Sequence, residues 1–254
     1  MTKPTTHIGI DGCKGGWLVA ILQDKKVTIH LKSTISEVWK SIQPQSPVLI
    51  DMPIGLLEGE NGKTIRACDA QARKLLAKKS SSIFPVPCRQ AVYTSAPEKT
   101  KGWYATWHQK VSQLNRKYLG KGLPIQSLGI LSKIRELDEF IVHQKQAKML
   151  LLEAHPELCF KLLKGDDLAF NKKEAEGQQE RIALLSSYII NFDQEMFDSH
   201  YATTYPKSKV LADDILDAIC LAVHAKLGTL YGFSSLGNEL DSKGIPMAIS
   251  YGNH

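Results

Sequence analysis

Three aspartates stand at the head of ADDILDAICLAVHA, residues 212–225, a segment whose other positions are almost all apolar. A helix turns by about 100° per residue, so Asp213, Asp214 and Asp217 fall within an arc of roughly 100°. They form one acidic spot, continued along the helix by His224. Because apolar residues run nearly all the way round, the helix is expected to be buried on most sides. Two explanations compete for the acids. Asp213 or Asp214 can cap the helix, with the others favoured by its dipole. Asp217 lies deeper, where an ionised carboxylate needs a counter-charge or a metal.

Further acids close predicted strands: HIGIDG reaches Asp11, PVLIDMP reaches Asp51, and the apolar run AKMLLLE ends at Glu153. In an open α/β sheet the carboxyl ends of neighbouring parallel strands converge on the ligand crevice. With strands one, four and five adjacent and parallel, Asp11, Asp51 and Glu153 meet there, and the late helix completes the group. Convergent carboxylates repel one another unless some are protonated or a cation sits among them. Hard oxygen donors suit Mg²⁺ or Mn²⁺. Two such ions, about 4 Å apart, are the usual arrangement for phosphodiester hydrolysis. The expected metal ligands are Asp11, Asp51, Asp214 and Asp217, with Glu153 a further candidate catalytic carboxylate.

The elements that must position these residues are legible in outline. HIGIDG, GWLVAILQ and KVTIHL read as a three-strand meander with tight turns, in which Gly12, Gly15 and Gly16 serve either hairpin geometry or phosphate contact. STISEVWKSI has helical spacing, and PVLIDMP is a buried strand, so the order is β-β-β-α-β. A long departure follows over about 53–145, with helices expected in TIRACDAQARKLLAKK, around Trp107 and in LSKIRELDEFIVHQ. SSSIFPVPCR between them is too rich in Pro and Ser for an element interior. The sheet resumes at AKMLLLE, and Pro156 stands at a plausible first helical position, where Glu157 gains from the dipole and His155 is either N-cap or general acid. EGQQERIALLSSYI is another helix. Residues 190–207 are polar and aromatic without a clear period, and KGIPMAISYG is one edge strand.

A chain of 254 residues that is 43% hydrophobic can build one large α/β domain or a domain with a big insertion. Its five cysteines lack any CxxC spacing, which argues against a disulfide framework or zinc site and for a reducing cytoplasm. No apolar run reaches membrane-spanning length. The net charge of +6 mildly favours an anionic partner. Locally, RKLLAKKS and WYATWHQKVSQLNRKYLGKG set Lys and Arg beside aromatics, a mixture that binds phosphates and stacks bases. Trp103, Trp107, Val111, Leu114 and Tyr118 also fall at helical spacing, which makes a core-facing stripe the simpler expectation.

The ordered set GIDGCKGGW, IDMPIGL, RACDAQAR, SIFPVPCR, KIRELD, EAHPE, GQQER and DDILDA resembles the domain-of-unknown-function 429 family across nearly the whole chain. That family is regarded as predicted nucleases of the ribonuclease H-like fold. The resemblance implies a mixed sheet, a three-strand meander plus parallel strands, flanked by helices and interrupted by the insertion at about 53–145. In the wider superfamily Asp11 matches the first-strand Asp and Asp51 the acid that ends the fourth strand. Asp214, Asp217 and Ala218 match the Asp-x-x-Asp-Ala of RuvC-type resolvases. Asp51 is one methylene shorter than the resolvase Glu, and the insertion is absent from the minimal fold. Lys133, Glu136 and Asp138 belong to the resemblance; surface ion pairs explain most of that helix, and Lys133 can also face a phosphate. Arg66, Arg73 and Arg89 carry the same double reading, structural ion pair or substrate clamp.

The expectation is therefore a single ribonuclease H-like domain acting as a two-metal nuclease on DNA or RNA. In it Asp11 and Asp51 hold one ion, and Asp214 with Asp217 or Glu153 the other. A catalytically silent nucleic-acid-binding or scaffold protein is the alternative. An actin-like ATPase or sugar kinase relative is a third reading: GIDGCKGG resembles a phosphate-binding hairpin, but no second such hairpin follows.

Overall fold

The computed structural model describes residues 5–59 and 62–254. Along the chain run β1 (His7–Cys13), β2 (Gly16–Gln23), β3 (Lys26–Lys32), α1 (Ile35–Ile42), β4 (Val48–Asp51), α2 (Ala67–Leu76), α3 (Arg89–Val92) and α4 (Trp103–Leu119). Then follow α5 (Leu128–His143), α6 (Lys145–Leu150), β5 (Leu151–Glu153), α7 (Pro156–Lys164), α8 (Ala175–Ser186), α9 (Gln194–Met196), α10 (Ala212–Tyr231), β6 (Phe233–Leu240) and β7 (Pro246–Gly252). The chain divides into two compact units, one of residues 1–52, 146–235 and 249–254, the other of residues 53–145 and 236–248. Among the described residues no helix is long and apolar enough to cross a membrane.

The first unit holds a five-stranded mixed sheet in the order β3-β2-β1-β4-β5. The meander β1–β2–β3 is antiparallel, while β4 runs parallel to β1 and β5 parallel to β4. Side chains alternate between faces along each strand. One face carries Leu18, Ala20, Leu22 and Leu49, and α10 packs against it within the main core. Gly9 on β1 is what lets the helix come so close. A Cβ there would lie 2.2 Å from the carbonyl oxygen of Ala218 and 2.4 Å from the nitrogen of Ala222.

The aperiodic stretch 190–207 covers the exposed edge of the sheet. Tyr205 accepts the Leu31 N–H at 3.0 Å, Tyr201 donates to the Val27 carbonyl at 3.1 Å, and the Ile190 N–H donates to Lys25 at 2.8 Å. An unprotected edge strand would offer these groups to another chain. The aromatic content of that stretch is explained by Phe192, Phe197 and Tyr201, which are buried in the same core.

The second unit contains α2 to α5, and the β6–β7 hairpin passes into it. The tail thus forms two strands where the sequence predicted one. In α4 the fully buried positions are Val111, Asn115 and Leu119, whereas Trp103 and Trp107 are only half-buried and stack on each other with centroids 6.2 Å apart. The expected apolar stripe is displaced because Asn115 faces inward. Its side chain accepts the Cys88 N–H at 2.8 Å and donates to the Lys121 carbonyl at 2.7 Å, so a polar residue takes the buried position one turn after Val111.

Candidate functional site

The parallel pairing of β1 with β4 sets Asp11 directly beside Asp51, at the last residue of β4 and two residues before the end of β1. Both lie two residues beyond Gly9 and Leu49, so alternation puts them on the face covered by α10. Since α10 touches Gly9 at Ala218, the preceding turn, with Asp214 and Asp217, stands over the strand ends. Close helix packing at one glycine is therefore what gathers acids separated by about two hundred positions in the chain.

These carboxyls perturb one another's acidity. Burial pushes Asp11 well above the usual carboxylate range, and the charges of Asp51, Asp217 and Asp214 push it further; Lys172 only partly offsets them. Burial also raises Asp51, against the opposing effects of His155, Lys172 and a hydrogen bond with Asp11. Two carboxyls can share a hydrogen bond only when one keeps its proton, so the pair is short of positive charge. Asp214 is raised by burial although its Oδ2 accepts the Leu211 N–H at 2.8 Å, a helix-capping bond. Capping and participation in the acidic group thus coexist in one residue. Asp217, 4% exposed, is pushed by burial up to about 7 even with Lys172 beside it.

Lys172, on the connection into α8, carries no periodic or motif signal in the sequence, and sequence reasoning missed it. Its Nζ donates to Asp217 Oδ2 at 2.8 Å and lies 3.5 Å from Asp213 Oδ2. Burial alone would lower its pKa, but Asp217, Asp213 and Asp51 together raise it, so the ammonium form is held firmly.

Glu153 is not brought into this group. The β4–β5 register pairs it with Ile50 rather than Asp51, so it belongs to the face opposite Asp11 and Asp51, while its neighbour Leu152 packs on the α10 side. His224 does not extend the acidic spot either. Its Nε2 bonds the Cys159 carbonyl at 2.9 Å, and burial holds its pKa down to about 4, so the ring is neutral. Glu157 pairs with the buried Arg181 at 2.7 Å.

The candidate phosphate clamps belong to the second unit. Arg66 grips Asp69 through both oxygens, at 2.6 and 2.9 Å, and donates to the Ile54 carbonyl at 3.0 Å. Arg73 donates to the Ile83 carbonyl at 2.7 Å. Arg89 is surrounded by Glu58, Asp138 and Asp241, and Lys243 reaches Asp138 at 3.3 Å. Lys133 is half-buried on α5. Arg66 and Arg89 are thus structural ion pairs in this geometry. Gly16 has φ +132°, and a Cβ there would meet the Lys32 carbonyl on β3 at 2.1 Å, so glycine is required where β2 begins.

The donor set fits a hard divalent cation in kind: buried carboxylate oxygens with too little positive charge among them. In spacing it does not close by itself, since among the described residues no three His, Cys, Asp or Glu side chains stand at metal-ligating distances. Asp11, Asp51, Asp214 and Asp217 are the residues that would hold such an ion.

A family model described as a protein of unknown function (DUF429) matches residues 9–232. No curated protein and no solved structure matches the chain.

Proposed function

Starting from the chain's membership of the DUF429 family, whose description assigns no activity, we propose that it is a metal-dependent nuclease of ribonuclease H-like fold. The observation that carries the reading is the Asp11–Asp51 pair at adjacent parallel strand ends, with Asp214 and Asp217 folded over it and all four carboxyls raised by burial. A carboxylate group this poor in positive charge is costly unless a cation relieves it. The strand order β3-β2-β1-β4-β5, with its antiparallel meander and two parallel additions, supports the fold reading.

A bound Mg²⁺ or Mn²⁺ supplies Lewis acidity and an acidified water for attack on a phosphodiester. The chain's own residues do the rest. Asp11 and Asp51, anchored on paired strands, offer oxygens in a fixed relation and would be the residues to hold the cation. Asp214 keeps one oxygen on the helix N-terminus, which fixes the other. Lys172 places a positive charge beside the carboxylates, where charge growing on a phosphate needs compensation. The net charge of +6 favours a polyanionic substrate.

The test is cleavage of end-labelled single-stranded DNA, duplex DNA and RNA with Mg²⁺, Mn²⁺ or chelator, for the unmodified chain and for Asp11→Asn. Divalent-dependent cleavage that Asp11→Asn abolishes is expected. Salt-dependent binding without cleavage under any divalent ion would instead identify a silent binding protein, and saturable ATP hydrolysis without cleavage an ATPase.

A further inference from the structure

We propose that Lys172 is a built-in cation of this centre, its ammonium holding Asp217 and Asp213 in the place of a second divalent ion, so that the site takes one such ion per chain. The inference rests on the nuclease reading and replaces the two-ion count expected from the sequence.

The geometry is direct. Lys172 Nζ lies 2.8 Å from Asp217 Oδ2 and 3.5 Å from Asp213 Oδ2. An ammonium has three donors and no lone pair, so it occupies these oxygens as a cation would, without becoming a ligand. A second divalent ion reaching for the same oxygens would stand beside a like charge at short range. Asp217 is almost fully buried, which separates this contact from a surface ion pair. Asp11 and Asp51, with Asp214, are left to hold the one exchangeable ion.

Lys172 also projects from a fixed point. The Asn171 carbonyl accepts the Glu174 N–H at 3.0 Å, and Asn171 Oδ1 accepts the Lys173 N–H at 3.1 Å. Gly177 of α8 lies so close that a Cβ there would be 1.9 Å from the Asn171 carbonyl oxygen. On the other side Glu180, also on α8, accepts the N–H groups of Ala169 and Phe170 at 3.0 and 3.2 Å and the Lys164 ammonium at 2.7 Å. Residues 169–173 are therefore strapped to α8 around the lysine.

The experiment counts Mn²⁺ on the full-length chain, by titration calorimetry and by anomalous scattering from Mn²⁺-soaked crystals. One ion per chain is expected for the unmodified protein and for Lys172→Arg, which keeps the charge, and two for Lys172→Met. Two ions on the unmodified chain, or no gain in Lys172→Met, would overturn the inference. The count on the unmodified chain does not depend on any variant folding. Two ions together with cleavage would remove the lysine's role and leave the nuclease reading standing; no ion at all would remove both.

Discussion

Replacing Asp217 by Asn should stabilise the metal-free protein, and the gain should depend on pH in a calculable way. Burial, only partly countered by Lys172, moves this carboxyl from an ordinary 3.8 to about 7. At 1.36 kcal/mol per factor of ten in acidity, that is about 4 kcal/mol of penalty for the ionised form. The sign follows from proton binding. Between the two values the folded chain holds the proton more tightly than the unfolded one, so stability falls as pH rises from about 4 to about 7 and the full penalty stands above that range. Asn carries no charge and escapes it. The variant should therefore exceed the parent by about 4 kcal/mol at pH 8, by about 2 at pH 5 and by less than about 1 at pH 4, before any loss of the Lys172 contact. Hydrogen–deuterium exchange of the β1 and α10 peptides in chelator, corrected for intrinsic rates, reads the first unit separately. An advantage that does not shrink between pH 8 and pH 5, or a variant less stable than the parent at pH 8, would refute the idea that burial outweighs Lys172 at this carboxyl.

Gly9→Ala should cost about 1–3 kcal/mol or more, seen as a lower melting temperature, because its Cβ would lie 2.2 Å from the Ala218 carbonyl oxygen and force α10 off β1. Arg89→Met should cost about 3–5 kcal/mol, since it leaves the buried Asp138 and Asp241 carboxylates under-compensated; faster limited proteolysis within 53–145 would report it. Asp51→Asn should lower divalent-dependent cleavage by at least about 100-fold while leaving exchange protection of the sheet in place. Arg181→Met should destabilise the first unit, because Arg181 joins Glu157 at 2.7 Å to the Gly177 carbonyl at 2.9 Å; thermal melting checks it.

Most of what could be read beforehand was local. Asp11 and Asp51 stand at ends of apolar runs, and strand ends are set by short stretches of sequence. Asp214 and Asp217 share a helix face because they are three residues apart. Glu153 looked equivalent to Asp51 and is not. Which face a strand-end acid takes depends on the register of β4 against β5, and one residue of slip reverses it. The arginines were ambiguous for a similar reason. Arg89 and Asp241 are 152 positions apart, so nothing near either residue announces the pair.

By itself the sequence determined in outline, though not at AKMLLLE or in the tail, where strands and helices run and which acids share a face within each, because alternation along a strand and the 100° step of a helix are properties of neighbouring residues. Only the tertiary structure decided which of those faces meet. The strand order, the β4–β5 register, the close approach at Gly9 and the arrival of Lys172 from 45 positions away all depend on packing between distant segments, and the charge balance of the site depends on them.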